Sequence, residues 1–229
     1  LAQLSFSFQT DEKPNLFLEE DFLLLEENSA AVNFFKKFFA QKDFRHSQFP
    51  SLIIKGGKAC GKSHLLHIFA LESQAEFLNK EAISGVNPVS FFAPNRFYIL
   101  ENIDDFQDEE LILRLINSAV EAEAFLILSA RSAPKFILKD LDSRLKNIFA
   151  VEIKNPSQES VKQLLTNAFS RKQIKISRQV IDFISDNIER SFDAVMNAVK
   201  MVEIYIQESG KNITVAEVRK IGIMNPSQI

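Results

Sequence analysis

The run Gly56-Gly57-Lys58-Ala59-Cys60-Gly61-Lys62-Ser63 constrains this chain more than any other feature. It fits G-x-x-x-x-G-K-[ST], and its flanks give the pattern meaning: Ser51 to Lys55 (SLIIK) reads as a short buried strand and Lys62 to Glu72 (KSHLLHIFALE) as a helix. A loop that cradles phosphate turns backbone N–H groups inward, where side chains would obstruct the anion, so the turns call for glycine. The helix that follows points its positive end at the same charges. Lys62 would set an ammonium between the terminal phosphates of a nucleotide and Ser63 would hold Mg²⁺, with Gly56, Gly57, Lys58, Ala59, Cys60, Gly61 and His64 completing the contact. His64 and His67 have no third ligand nearby in sequence, which favours packing over a metal site. Cys60, at a helix N-terminus, is expected to have a lowered pKa, which would make it a redox-sensitive thiol.

Beyond the loop, strands alternate with helices. Glu76 to Asn79 is a weak strand, Arg96 to Leu100 (RFYIL) and Ala124 to Ala130 (AFLILSA) are buried strands, and Ala150 to Ile153 is the last. Asp108 to Glu121 and Asp140 to Lys146 read as helices, and Gly85 to Pro94 as a turn-rich stretch. This alternation predicts an α/β fold with a parallel sheet flanked by helices. After Asn155-Pro156 the segments Ser157 to Ser170, Ser177 to Ile188, Phe192 to Gln207 and Val215 to Lys220 are all helical. The expected division is a tail over 1–20, a P-loop α/β nucleotide-binding domain over 21–155 and a small all-α lid over 156–229. Upstream of the first strand, Asn28 to Gln41 predicts a helix opened by an N-cap pair. Its Phe34, Phe35, Phe38 and Phe39, in a chain with 22 Phe and no Trp, read as core.

A formal charge of −3 with no Lys/Arg block argues against strong direct DNA binding. A single cysteine and an N-terminus without a signal-peptide pattern point to the cytoplasm. No uncharged apolar run approaches the ~18 residues of a membrane span.

Hydrolysis at a phosphate loop calls for a carboxylate at a neighbouring strand end. The strand through Leu100 ends in Glu101-Asn102-Ile103, 39 residues beyond Lys62. Taken with Lys62-Ser63-His64-Leu65-Leu66-His67, Asp142-Ser143-Arg144-Leu145 and Ile213-Thr214-Val215-Ala216-Glu217-Val218, this strand end resembles the AAA+ module of the DnaA/Hda family, most of all its Hda members, over about Leu16 to Ile221. The resemblance implies an AAA+ P-loop NTPase domain with a helical lid, ATP/ADP and Mg²⁺ as cofactors, and a DnaA-like AAA+ initiator as partner. It implies that Arg144 is an arginine finger offered in trans to a neighbour's nucleotide, an effect that can reach ~10³ to 10⁵ in rate. It also gives Gln3-Leu4-Ser5-Phe6-Ser7-Phe8 the look of the Hda tail that docks on the DNA polymerase sliding clamp through Gln3, Leu4, Phe6 and Phe8. Initiators of the family continue into a helix-turn-helix DNA reader, whereas this sequence ends eight residues after Ile221, which favours the Hda-like reading.

Some positions depart from the family pattern. Glu101 stands where the family has Asp, and its extra methylene moves the carboxylate, paired with Ser63 as a Mg²⁺ ligand, by ~1.5 Å. Asn102 stands where initiators have a second acid, and an amide cannot take a proton from water. The lid position that normally offers an arginine to phosphates holds Asp193, with Arg190 one register away. Ser129 is the remaining polar residue to sense nucleotide after the strand. Intrinsic hydrolysis is therefore expected to be weak or absent. The expected function is an Hda-like regulator of replication initiation that promotes hydrolysis of DnaA-bound ATP. The alternatives are an autonomous AAA+ ATPase of helicase-loader type and a non-hydrolysing adaptor with a vestigial loop, and a homo-oligomer stays open.

Overall fold

The computed structural model describes residues 22–40, 51–79, 83 and 91–223. The 1–20 tail, with Gln3, Leu4, Phe6 and Phe8, and most of the Gly85 to Pro94 stretch lie outside the described residues. Five parallel strands form one sheet in the order β2-β3-β4-β1-β5, with β1 Ser51–Gly56, β2 Glu76–Phe77, β3 Phe97–Leu100, β4 Phe125–Ala130 and β5 Phe149–Ile153. The described helices are α1 Glu26–Ala40, α2 Lys62–Ser73, α3 Glu109–Glu121, α4 Lys139–Asn147, α5 Gln158–Arg171, α6 Arg178–Asn187, α7 Phe192–Ser209 and α8 Val215–Lys220.

Side chains alternate across each strand, and both faces are apolar because helices cover both. On one face Ile53, Tyr98, Leu100, Leu126 and Leu128 meet Ile112, Leu115 and Ile116 of α3 and Leu141 and Leu145 of α4. On the other, Leu52, Ile54, Phe97, Ile99, Phe125 and Ile127 meet α1 and α2. Phe34, Phe35 and Phe38 of α1 belong here, as their helical spacing predicts. Phe35 packs on Phe69 at 4.8 Å, Phe34 stacks on Phe149 at 5.0 Å, and Phe38 meets Phe97 and Phe125 edge-on. Each fully buried Ile, Leu or Phe of these layers stabilises the fold by about 1.5–3 kcal/mol.

After Ile153 no strand follows among the described residues, and α5 to α8 enclose a third apolar core around Val161, Leu165, Phe169, Val180, Ile184, Val195 and Val199. Three of these helices start at a serine that accepts a hydrogen bond from an amide three residues on: Ser157 from Ser160, Ser177 from Val180 and Ser191 from Ala194. Asp108 does the same for α3 through the Leu111 N–H.

Two local expectations are corrected. Helix α1 begins at Glu26, so Asn28 is not its cap; Asn28 Oδ1 accepts the Leu25 N–H and its amide donates to Leu23 O, both at 2.9 Å, clasping the entering segment. The acids Glu26 and Glu27 in the first turn favour this earlier start, since negative charge suits a helix N-terminus. The strand expected over Glu76 to Asn79 keeps only Glu76–Phe77 in the ladder, although the Leu78 N–H still reaches Ile99 O at 2.7 Å.

Strand β1 sits between β4 and β5, with Ile54 opposite both Ser129 and Val151. The chain leaves β1 toward one edge of the sheet and returns to its other side, so the carboxyl end of β1 opens on the crevice where ligands of open α/β sheets bind.

Candidate nucleotide site

The run Gly56 to Ser63 fills that crevice. Gly56 closes β1, Ala59 adopts a left-handed φ of 55°, and Gly61, at φ 103°, precedes α2. A Cβ on Gly56 would lie 2.5 Å from Ile153 O, so the close approach of the loop to β5 excludes any side chain there. Among the described residues no side chain caps α2, and its first turn holds no acid, which leaves amino-terminal N–H groups and the positive helix end for an anion. Lys62 is buried, and its Nζ donates to Gly56 O at 3.0 Å and Gly57 O at 2.7 Å. The ammonium thus lies in the bowl of the loop, against its carbonyls. Lys58 is exposed, and Ser63 is half-buried one position beyond Lys62.

The ends of β3 and β4 bring three more of the expected residues together. Leu100 is paired with Leu128, so Glu101 and Asn102 emerge beside Ser129. Ser129 is fully buried, and its Oγ accepts the Asn102 N–H at 2.9 Å, which fixes Asn102 at a left-handed φ of 52°. Glu101 Oε1 is buried and has no hydrogen-bond partner among the described residues. An orphaned carboxylate oxygen at the end of β3, which β4 separates from β1 and its loop, is a hard donor of the kind that, with the Ser63 hydroxyl, would suit hydrated Mg²⁺ on a nucleotide. The acids just downstream are committed elsewhere. Arg131 pairs through Nε with Asp104 at 2.9 Å and through its terminal nitrogen with Asp105 at 2.7 Å.

Arg144 is exposed on α4, which buries Leu141 and Leu145 against the sheet. Asp142 pairs with Lys146 at 2.6 Å, so it does not hold Arg144. Asp193 and Arg190 are both exposed near the start of α7. His64 is buried and His67 Nδ1 lies 2.8 Å from Ser63 O, and among the described residues no group of three His, Cys, Asp or Glu could hold a metal. The expectation for Cys60 is corrected. Burial pushes its thiol up, and the attraction of Lys62 for a thiolate does not overcome this.

Sequence reasoning missed the second wall of the site. The Phe192 N–H at the start of α7 donates to Ala59 O at 2.9 Å. The His64 ring is flanked edge-on by Phe22, at 5.0 Å, and by Phe192, at 5.9 Å. These rings line a void of about 30 Å³ with Gly61, Pro156 and Leu164. Glu27, on the same wall, accepts the Ser157 N–H at 2.7 Å and the Ser160 hydroxyl at 2.8 Å. No local pattern announces a bond spanning 130 residues.

The sheet order, the loop at the end of β1 and the helices that follow make up an AAA+ fold. Domain III of the Thermotoga maritima replication initiation protein DnaA superposes with a TM-score of 0.73 over 90% of this chain and 96% of that one, at 14% identity. AMPPCP-bound DnaA from Aquifex aeolicus gives 0.68 over 86% and 69%, at 16% identity, and the Thermotoga maritima RuvB branch migration motor 0.65 over 86% and 68%, at 15%. In sequence, the chain is similar to the chromosomal replication initiator protein DnaA of Chromobacterium violaceum, 27% identical over 195 residues, 74% of this chain and 42% of that protein. An uncharacterized protein of Haemophilus influenzae is 24% identical over 75% of this chain and 81% of its own length. No family model matches the chain. It spans about 42% of the length of the DnaA relative from Chromobacterium violaceum.

Proposed function

We propose that this chain is an Hda-like AAA+ regulator of replication initiation, which binds adenine nucleotide at Gly56 to Ser63 and promotes hydrolysis of ATP held by a DnaA-like initiator. The observation that carries the reading is the uncapped start of α2 behind a glycine turn with the Lys62 ammonium in its bowl. Similarity to DnaA, and the AMPPCP in a DnaA of the same fold, support an adenine nucleotide as the anion.

In this reading the amino-terminal N–H groups of α2 and Lys62 bind the phosphates, and Ser63 and Glu101 are the residues that would hold Mg²⁺. When bound, Mg²⁺ would neutralise phosphate charge. Asn102 supplies no base, because its side chain is an amide and its N–H is held by Ser129. Arg144, exposed and without an ion pair among the described residues, is offered to the neighbouring initiator, where a guanidinium can stabilise charge developing on phosphate oxygens. The segment Gln3 to Phe8 docks the complex on the sliding clamp. Residues 21–155 act as the nucleotide-binding domain and 156–229 as its lid.

The test is a reconstituted assay of DnaA-bound ATP hydrolysis with clamp on DNA. The chain is expected to accelerate hydrolysis, Arg144→Ala to lose at least about a hundredfold of that acceleration, and Gln3→Ala to lose dependence on the clamp. Full acceleration by Arg144→Ala would refute the proposal. Brisk turnover of ATP by the chain alone, abolished in Lys62→Ala, would support an autonomous ATPase instead.

A further inference from the structure

The helical part of the chain is in direct contact with the run from Gly56 to Ser63, through the Phe192 N–H on Ala59 O. Beside Gly61 and His64, the wall between Phe22 and Phe192 encloses a void of about 30 Å³, the space of a water or two and far less than a purine. Three contacts keep it small. The Phe192 N–H is bonded to Ala59 O in the middle of the loop, and the Phe192 and Phe22 rings both pack edge-on against the His64 ring. Helix α7 cannot yield alone, because Val195, Val199 and Val202 share a fully buried core with Val161 and Leu165 of α5. Helix α5 is in turn tied to α1 through Glu27, which accepts from Ser157 and Ser160 while its own carbonyl accepts the Lys154 N–H at 3.1 Å.

We propose that the start of α7 is an autoinhibitory latch, in which Phe192, bonded to Ala59 and packed on His64, holds the helical part shut over the loop, so that a nucleoside di- or triphosphate enters only after that contact breaks. The inference rests on the reading of Gly56 to Ser63 as a nucleotide site and adds a gate to it. Helices α5 to α8 share one core, so they swing as a body, and the segment from Lys154 to Ser157, with Pro156 at its centre, is where the chain bends. Apparent affinity for nucleotide is then the intrinsic affinity multiplied by the fraction of molecules with the latch open. A closed population predicts weakened nucleotide binding, independently of the charge at Asp193.

The experiment is calorimetric titration of ADP into the intact chain and its Phe192→Ala and Phe192→Leu forms, the second keeping an apolar side chain for the helical core. Both substitutions are expected to tighten ADP binding, Phe192→Ala by about tenfold if roughly a tenth of the wild-type molecules are open. Amide exchange on the wild-type chain provides a second reading, with the Phe192 N–H protected alone and deprotected under saturating ADP. Equal or weaker binding by both variants overturns the latch while leaving the nucleotide site standing, as does a Phe192 amide that stays protected in the ADP complex. Failure of all three proteins to bind millimolar ADP overturns the latch and the nucleotide reading together.

Discussion

Replacing Glu27 by alanine removes a carboxylate that belongs to α1 but completes the start of α5. Three contacts disappear: the Ser157 N–H at 2.7 Å and the Ser160 hydroxyl at 3.0 and 2.8 Å from the two oxygens. Hydrogen bonds to a charged group contribute about 1.5–3 kcal/mol each when shielded, and a helix cap about 0.5–2 kcal/mol. Glu27 is half-buried, so water replaces part of what is lost. A net cost of about 1–3 kcal/mol remains after that discount, equivalent to roughly 3–9 °C in the unfolding temperature of a domain this size. The pH dependence has a definite sign. Burial raises the Glu27 carboxyl, but the hydrogen bonds from Ser157 and Ser160 outweigh it and hold the group below its ordinary value. A depressed folded pKa means that the stabilisation is fully present above the ordinary glutamate value and is lost as pH falls through the folded one. Thermal unfolding of wild type, Glu27→Ala and Glu27→Gln should therefore show a gap at neutral pH that narrows in acid. Identical unfolding temperatures at pH 7, or a gap that widens on acidification, would refute this account.

Gly56→Ala is expected to cost about 1–3 kcal/mol in urea unfolding, because the new methyl meets a backbone oxygen of β5 that cannot move aside; an unchanged midpoint would contradict the close approach. Ser129→Ala leaves the Asn102 N–H without its partner and should lower stability by about 1–3 kcal/mol. The same change should speed exchange of the Asn102 amide by at least tenfold, and an unaltered rate would mean that Ser129 does not hold it.

The layers of this fold are written plainly in the chain. The alternation through Leu52, Ile53 and Ile54 and through Phe97, Tyr98 and Ile99 names both faces of the sheet, and Ser157, Ser177 and Ser191 announce three helices because a cap acts over only three residues. The turn from Gly56 to Ser63 is legible for the same reason, since eight consecutive residues carry its geometry. What stays hidden depends on distance in sequence or on burial. Asp104 and Asp105 look free until Arg131 arrives from the end of β4. Cys60 looks activated by a helix N-terminus until the desolvation imposed by its neighbours is counted. The bond from Phe192 to Ala59 is made by backbone atoms, so neither residue type could signal it.

The position of β1 in the sheet has a consequence for how the protein is made. Its two neighbours, β4 and β5, are Phe125–Ala130 and Phe149–Ile153, so the strand that bears the loop must wait for about a hundred further residues before both of its edges are satisfied. Parallel pairings of such long separation close slowly, because chain entropy is lost before the contacts reward it. On the ribosome, SLIIKG emerges before either of its partner strands as an apolar ribbon with unpaired amides, a natural client for a holdase chaperone. A nascent chain arrested before Ile153 has cleared the exit tunnel would keep that ribbon open and be prone to aggregate.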